Sequence, residues 1–231
     1  MKKIAIIPAR GGSQRIPQKN IKDFCGMPII AYPIHTALES QLFDEVVVST
    51  DSELIAQVAK NYGASVPFLR PKELSDHFTP TIPVITHAIT ALNLASEDLV
   101  CCIYPATPLL KADSLKRGFQ ELIECPHKMY AFCAVEYDYN PYRSFYVKDN
   151  EINMLFPQHQ NTRSQDLDTL FHDAGQFYWG RVKAFMTNLP IFAKHSSAIV
   201  LKNYQVQDID TPDDWAMAEI KYKIQSKSES A

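Results

Sequence analysis

The sequence predicts an α/β protein built on a mostly parallel, doubly wound sheet. Short apolar or β-branched runs recur along the chain, as in IAII (4–7), EVVVS (45–49) and LVCCIY (99–104). Amphipathic segments of about 10–15 residues separate them, and strands alternating with helices of that length pair in parallel under helices on both faces. Residues able to do chemistry cluster where the runs end, and such sheets bind ligands beyond the carboxyl ends of their strands. A chain of 231 residues makes one domain over 1–231. An arm inserted at about 137–166 breaks the alternation.

Ile4–Ile7 reads as a buried strand ended by Pro8. PIIAYPIHTALES predicts a helix with Pro28 in its first position, an apolar stripe of Ile30, Ile34, Ala37 and Leu38, and an irregular first turn at Pro33. EVVVSTD is a strand delivering Asp51 at its carboxyl end, and SELIAQVAKNYG is a helix capped by Gly63. SVPFL follows as a strand, IPVITHAITALNLA as a helix with Pro83 near its start, and LVCCIY as a buried strand. KADSLKRGFQELIE is a helix and YAFCAVEY a strand. From Tyr137 to Asp166 the chain is rich in Tyr, Asn, Pro and Gln, with strand-like pieces only at SFYV and INMLF. This predicts an extended arm whose expected role is dimer contact. QFYWGRVKAFM and QVQDIDTPDDWAMAEIKYKI resume the α/β pattern, and SKSESA predicts a disordered tail.

Composition narrows the function. A net charge of −3 gives no basis for non-specific nucleic-acid binding, so any basic site must be local. The five cysteines form no C-x-x-C pair and two lie inside LVCCIY, which predicts reduced thiols in a cytoplasmic protein. The seven histidines show no zinc-binding spacing. IAII is too short for a signal-peptide core, and no run approaches the ~20 apolar residues of a membrane span, so neither export by that route nor a membrane is expected.

Two stretches carry the chemistry. In PARGGSQRIPQKN, Gly11, Gly12 and Ser13 let backbone N–H groups approach an anion, and Arg10, Arg15 and Lys19 add positive charge. The loop matches neither G-x-x-x-x-G-K-[ST] nor G-x-G-x-x-G, which excludes the Walker and dinucleotide patterns. Two readings stand at this point, a cradle for a triphosphate and a solvated basic loop. In QDIDTPDDW, Thr211 suits a helix cap, Pro212 the first helical position, and Asp213 and Asp214 the positive end of the helix dipole. Asp208 and Asp210, two residues apart on extended chain, point to one side and present two hard oxygen donors of the kind Mg²⁺ takes from protein.

IPARGGSQRIPQKN (7–20), RPKELSD (70–76) and DIDTPDDW (208–215), in this order, resemble the three signature blocks of the cytidylyltransferases that activate nonulosonic (sialic-type) acids. SDHFTPT (75–81) and HDAGQFYW (172–179) most resemble that family's pseudaminic acid branch. The resemblance implies a Rossmann-like nucleotidyltransferase fold, a homodimer, and transfer of CMP from CTP to the anomeric hydroxyl of a nine-carbon 2-keto sugar acid with release of pyrophosphate. It implies that Pro8, Ala9, Arg10, Gly11, Gly12, Ser13, Asn20 and Arg70 surround the nucleotide, with Arg15 and Lys19 on the leaving pyrophosphate. Asp208 and Asp210 are then the ligands of Mg²⁺.

The sugar carboxylate calls for an arginine fork, for which Arg163 is the first candidate and Arg143 the second. Tyr104, Thr107, His172, Asp173, Gln176, Thr79 and Thr81 are candidates for the sugar's hydroxyl and acylamino groups. Phe177 and Tyr178 read equally as core, and His172 equally as a satisfied structural histidine. YPATPLL (104–110) departs from the Q-P-T-S-P-L-R common in the sialic acid branch, which argues against N-acetylneuraminate as acceptor. Legionaminic acid and 3-deoxy-manno-octulosonate are the other acceptors within the class. A nucleotide-binding module without catalysis is the competing class, and the joint presence of Lys19, Asp208 and Asp210 argues for the enzyme.

Overall fold

A computed structural model describes residues 1–229. In chain order it contains β1 (Lys3–Pro8), the short strands β2 (Asp23–Phe24) and β3 (Met27–Pro28), α1 (Ala31–Glu39), β4 (Glu45–Ser49), α2 (Glu53–Asn61) and α3 (Thr81–Ala91). There follow β5 (Leu99–Ile103), α4 (Ala112–Glu124), β6 (Tyr130–Glu136), β7 (Phe145–Lys148), β8 (Glu151–Met154), β9 (Phe171–Arg181), α5 (Val182–Met186), β10 (Ser196–Leu201) and α6 (Pro212–Glu229).

The central sheet has six strands in the order β10-β6-β9-β5-β1-β4. β1 pairs in parallel with β4 and β5, placing Ile6 between Val47 and Cys102. β10 pairs in parallel with β6, whereas β9 runs antiparallel to both β5 and β6. Five strands therefore share one direction and β9 opposes them, the mostly parallel sheet that strand–helix alternation predicts.

Alternation along the buried strands divides the core in two. Ala5, Ile7, Val46 and Val48 face one side with Ile34 of α1, Ile55 of α2 and Leu115 of α4. Ile4, Ile6, Val47 and Val100 face the other with Ile85 and Ile89 of α3 and Phe185 of α5. A third cluster joins Ile16, Phe24, Ile29 and Tyr32 to Ile209, Trp215 and Ala218. Phe24 meets Tyr32, Trp215 and Tyr222 edge to face at 5.4–5.7 Å between ring centres. This small core ties the start of the chain to its last helix.

Several elements depart from expectation. Pro28 lies in β3, paired antiparallel with Asp23, and the helix starts at Ala31. Pro33 then falls in the first turn, where an N–H has no intrahelical partner to lose. Leu38 leaves the stripe and is 43% exposed. SVPFL is no strand: it touches the sheet through single parallel bridges at Ser65 and Leu69. Pro67 between them has no N–H for a continuous ladder. Ser196–Leu201, unread in the sequence, forms the edge strand β10. The segment expected to be a disordered tail continues α6 to Glu229, and Ser226 donates from its hydroxyl to the Tyr222 carbonyl; residues 230–231 lie outside the described residues.

The segment 137–166, expected to be an inserted arm, contains the β7–β8 hairpin, paired antiparallel from Phe145–Met154 to Lys148–Glu151. All five cysteines are free thiols. Among the described residues, no helix is long and apolar enough to cross a membrane.

Candidate active site

A cleft of about 500 Å³ opens beyond the carboxyl ends of β1 and β5, lined in part by Pro8, Arg10, Lys19, Arg70, Tyr104 and Asp210. Its two halves come from opposite ends of the chain. Ile16 and Ile209 are both buried in the third cluster. With these apolar side chains held inward, their neighbours Arg15 and Asp210 remain at the cleft. There Arg15 Nη2 lies 2.7 Å from Asp210 Oδ2, and Lys19 Nζ lies 3.4 Å from Asp210 Oδ1. Lys19 also donates to the Ile209 carbonyl at 2.6 Å. The basic loop and Asp210 share one cleft, whereas Asp208, the other half of the acidic doublet, is not among the residues that line it.

The glycines of the loop serve closeness more than conformation, since neither Gly11 nor Gly12 takes a left-handed φ. A Cβ on Gly11 would approach Ser52 Cβ at 3.2 Å, while Gly12 faces open space. Gly11 N donates to Asp51 Oδ1 at 2.9 Å, so the carboxylate at the end of β4 anchors the loop. Asn20 is buried, donates from Nδ2 to the Arg10 carbonyl at 3.0 Å, and keeps Oδ1 unpartnered.

Arg70 is only 5% exposed. Its backbone N–H donates to the Thr50 carbonyl at 2.7 Å, while its Nε and Nη2 have no hydrogen-bond partner. Asp51, 3.9 Å away, supplies the neighbouring opposite charge. Desolvation lowers the guanidinium pKa, with Asp51 opposing and Arg10 adding to the shift. A buried cation with free N–H groups at a cleft wall is arranged to receive acceptor atoms.

The acidic doublet is held by a reciprocal cap at the start of α6. Asp214 N donates to Thr211 Oγ1 at 3.2 Å, and Thr211 N donates to Asp214 Oδ2 at 2.8 Å. The same Asp214 oxygen accepts from Asp210 N at 3.1 Å, so the cap also fixes the backbone of the doublet. Asp208 is exposed as a residue, yet protein crowds its carboxyl enough that desolvation is the first cause of its raised pKa, followed by the charge of Asp210. Two mutually repelling carboxylates in this position fit a divalent cation, which would relieve the repulsion with hard oxygen ligands. Among the described residues no group of three or more His, Cys, Asp or Glu forms a cation cage, so phosphate oxygens and water would have to complete the shell.

The remaining candidates divide. Thr79, Thr81 and Tyr104 line the cleft, with Thr81 Oγ1 and Tyr104 Oη 2.8 Å apart and Thr79 Oγ1 donating to Asp76 Oδ1 at 2.7 Å. Thr81 and Tyr104 also wall an adjoining cavity of about 340 Å³, whose other side includes Asp173, Tyr178, Phe185 and Phe192. Asp173 accepts from Tyr178 Oη and from Gly175 N. Thr107 and Gln176 do not reach the cleft: both are buried, bonded to the Tyr104 and Gln205 carbonyls. His172 contacts the Asp173 carbonyl and lies on the Tyr137 ring, centres 4.6 Å apart. Phe177 and Tyr178 belong to the two main cores.

Arg163 pairs with Asp166 at 2.7 Å on the arm, away from the residues of the cleft. Arg143 donates to the Thr162 carbonyl and lines a separate cavity beside the arm. Ala9 is buried behind the loop. Gln14, Asp76 and His77 line the cleft although sequence reasoning passed over them. Their only signal was membership of quoted stretches: Gln14 of 7–20, Asp76 of 70–76 and His77 of 75–81.

The fold and this cleft define a nucleotidyltransferase. The chain belongs to the cytidylyltransferase family, whose model matches residues 4–225. It is 46% identical over 231 residues to a pseudaminic acid cytidylyltransferase of Campylobacter jejuni, covering 99% of both chains. It is 32% identical to the CMP-N,N'-diacetyllegionaminic acid synthase of Legionella pneumophila, covering 95% of each. The fold matches CMP:2-keto-3-deoxy-manno-octonic acid synthetase, solved with CTP, at a TM-score of 0.72 and 16% identity over 98% of this chain and all of that one. The family resemblance carried by the three motif blocks is borne out.

Proposed function

We propose that this protein transfers CMP from CTP to the anomeric hydroxyl of a nonulosonic acid, with pseudaminic acid as the acceptor. The observation that carries the reading is the convergence of Arg15 and Lys19 on Asp210 in one cleft. The full-length relative that is 46% identical supports the choice of acid. In the reaction the anomeric oxygen forms a bond to the α-phosphorus, the α–β phosphoanhydride breaks, pyrophosphate leaves and the hydroxyl proton passes to water.

The residues that line the cleft have roles their positions support. Arg70 offers free donors and Asn20 a free acceptor, which suit a cytosine edge that carries both kinds of group. Arg10, Arg15 and Lys19 neutralise the triphosphate, Ser13 offers it hydrogen-bond donors, and Arg15 and Lys19 stabilise the leaving pyrophosphate. Asp208 and Asp210 would hold Mg²⁺, which supplies charge neutralisation at the phosphates and eases ionisation of the attacking hydroxyl. Thr79, Thr81 and Tyr104 line the route to the acceptor, which extends into the adjoining cavity. Asp173 there supplies a hydrogen-bond acceptor, and Phe185 and Phe192 supply apolar walls suited to an acylamino group. Arg163 takes the acid's carboxylate in a homodimer whose arm reaches the cleft of the second copy. The enzyme works in the cytoplasm, where CTP is made.

The test incubates the protein with CTP, Mg²⁺ and a panel of nonulosonic acids while pyrophosphate release is followed. Turnover is expected with pseudaminic acid above N-acetylneuraminate and the other acids. Turnover equal across the panel would remove the acceptor assignment, and CTP-independent or absent release would remove the reaction.

A further inference from the structure

His77 joins the two walls at the mouth of the cleft. Arg10 Nη1 lies 2.8 Å from His77 Nδ1, and the Gln14 amide lies 2.5 Å from His77 Nε2. The same Arg10 Nη1 donates to the Asp76 carbonyl at 2.8 Å. A guanidinium only donates, so Nδ1 must carry the lone pair and Nε2 the hydrogen. Gln14 must then present its amide oxygen to Nε2, an orientation that the interchangeable ends of an amide permit. One neutral tautomer satisfies every contact.

The residue is mounted on a turn that holds itself. Asp76 Oδ1 accepts from Phe78 N at 2.9 Å and from Thr79 N and Oγ1 at 2.7 Å each. Asp76 Oδ1 is thereby engaged by its own turn; of the charged groups at His77, Arg10 is in direct contact and Asp76 is its neighbour in the chain. Among the described residues, Arg10 Nε and Nη2 carry no protein hydrogen bond and remain available to a ligand.

We propose that His77 is a positioning residue for Arg10: the clasp sets the guanidinium in place before nucleotide arrives, so that less side-chain freedom is lost on binding. This rests on the reading that the cleft takes CTP. The clasp acts on nucleotide affinity and leaves the acceptor end, walled by Thr81 and Tyr104, untouched.

The experiment compares wild type with His77→Ala, His77→Asn and His77→Gln. CTP affinity is measured by calorimetry with Mg²⁺ and no acceptor, and KM for each substrate is taken from pyrophosphate release. Asn places Oδ1 the same number of bonds from the backbone as Nδ1, while Gln places its oxygen level with Nε2. His77→Ala and His77→Gln should weaken CTP binding about tenfold, the scale of losing one hydrogen bond to a charged group. His77→Asn should recover most of that loss, and KM for the acid should stay within about twofold in all three. Unchanged CTP affinity in His77→Ala, an equal rise in both KM values, or an Asn variant no better than Ala would overturn the proposal. Wild type that binds CTP without releasing pyrophosphate would refute the transfer reaction alone, while wild type that fails to bind CTP would refute both.

Discussion

Lys19 sits where residue chemistry and chain geometry meet. Its ammonium bridges Asp210 and the Ile209 carbonyl, two groups about 190 residues away in sequence. This contact balances charge, and in the proposed reaction the same cation would face the charge developing on pyrophosphate. Lys19→Ala should therefore lower kcat/KM by at least ~10²-fold, the cost of removing one transition-state donor. Steady-state pyrophosphate release reads it, and an unchanged kcat/KM would take Lys19 out of the reaction. Lys19 and its partner were both named from motif blocks, because charge and spacing are properties of the sequence. His77 was not, because a histidine's partners lie wherever the fold brings them.

The element that matters most to the site is the start of α6. Thr211 and Asp214 cap each other's N–H groups, and Asp214 also holds Asp210 N. The Asp214 pKa lies below the ordinary 3.8, first because Thr211 Oγ1 donates to it, with the Thr211 and Asp210 N–H groups adding to the effect against desolvation. A depressed folded pKa contributes stability above the unfolded value and loses it as pH falls through the folded one. Asp214→Asn should lower Tm at neutral pH, and its gap to wild type should narrow below about pH 4. A gap independent of pH would deny Asp214 its charged role. Asp208 has the opposite sign: its raised pKa means that its ionised form costs folding stability above the ordinary 3.8, a cost that the proposed cation would offset. The cap residues were legible in TPDD, whereas β10 went unread because SSAIVL is short and finds its partner only across the sheet.

For the whole molecule, the β7–β8 hairpin is an exposed apolar surface. Phe145, Tyr146, Val147 and Ile152 of the hairpin are all more than half exposed, an apolar excess that a second copy of the chain would cover. The protein should sediment as a dimer. Val147→Lys combined with Ile152→Lys should yield a folded monomer with a raised KM for the acid and little change in KM for CTP. Dimers that persist in that variant would move the interface elsewhere, and equal effects on both KM values would detach Arg163 from the acceptor.

The sequence by itself determined the alternating layers, most of the buried strands, the Thr211 cap and the charged cleft residues Arg10, Arg15, Lys19, Arg70 and Asp210. These follow from periodicity, turn chemistry and local charge, all of which act over a few residues. Tertiary structure decided the rest. The reversal of β9, the burial of Arg70 against Asp51, the withdrawal of Thr107 and Gln176 into structural bonds and the His77 clasp all depend on partners distant in the chain. A side chain's type sets what it can bond, but only packing settles which of its possible partners arrives.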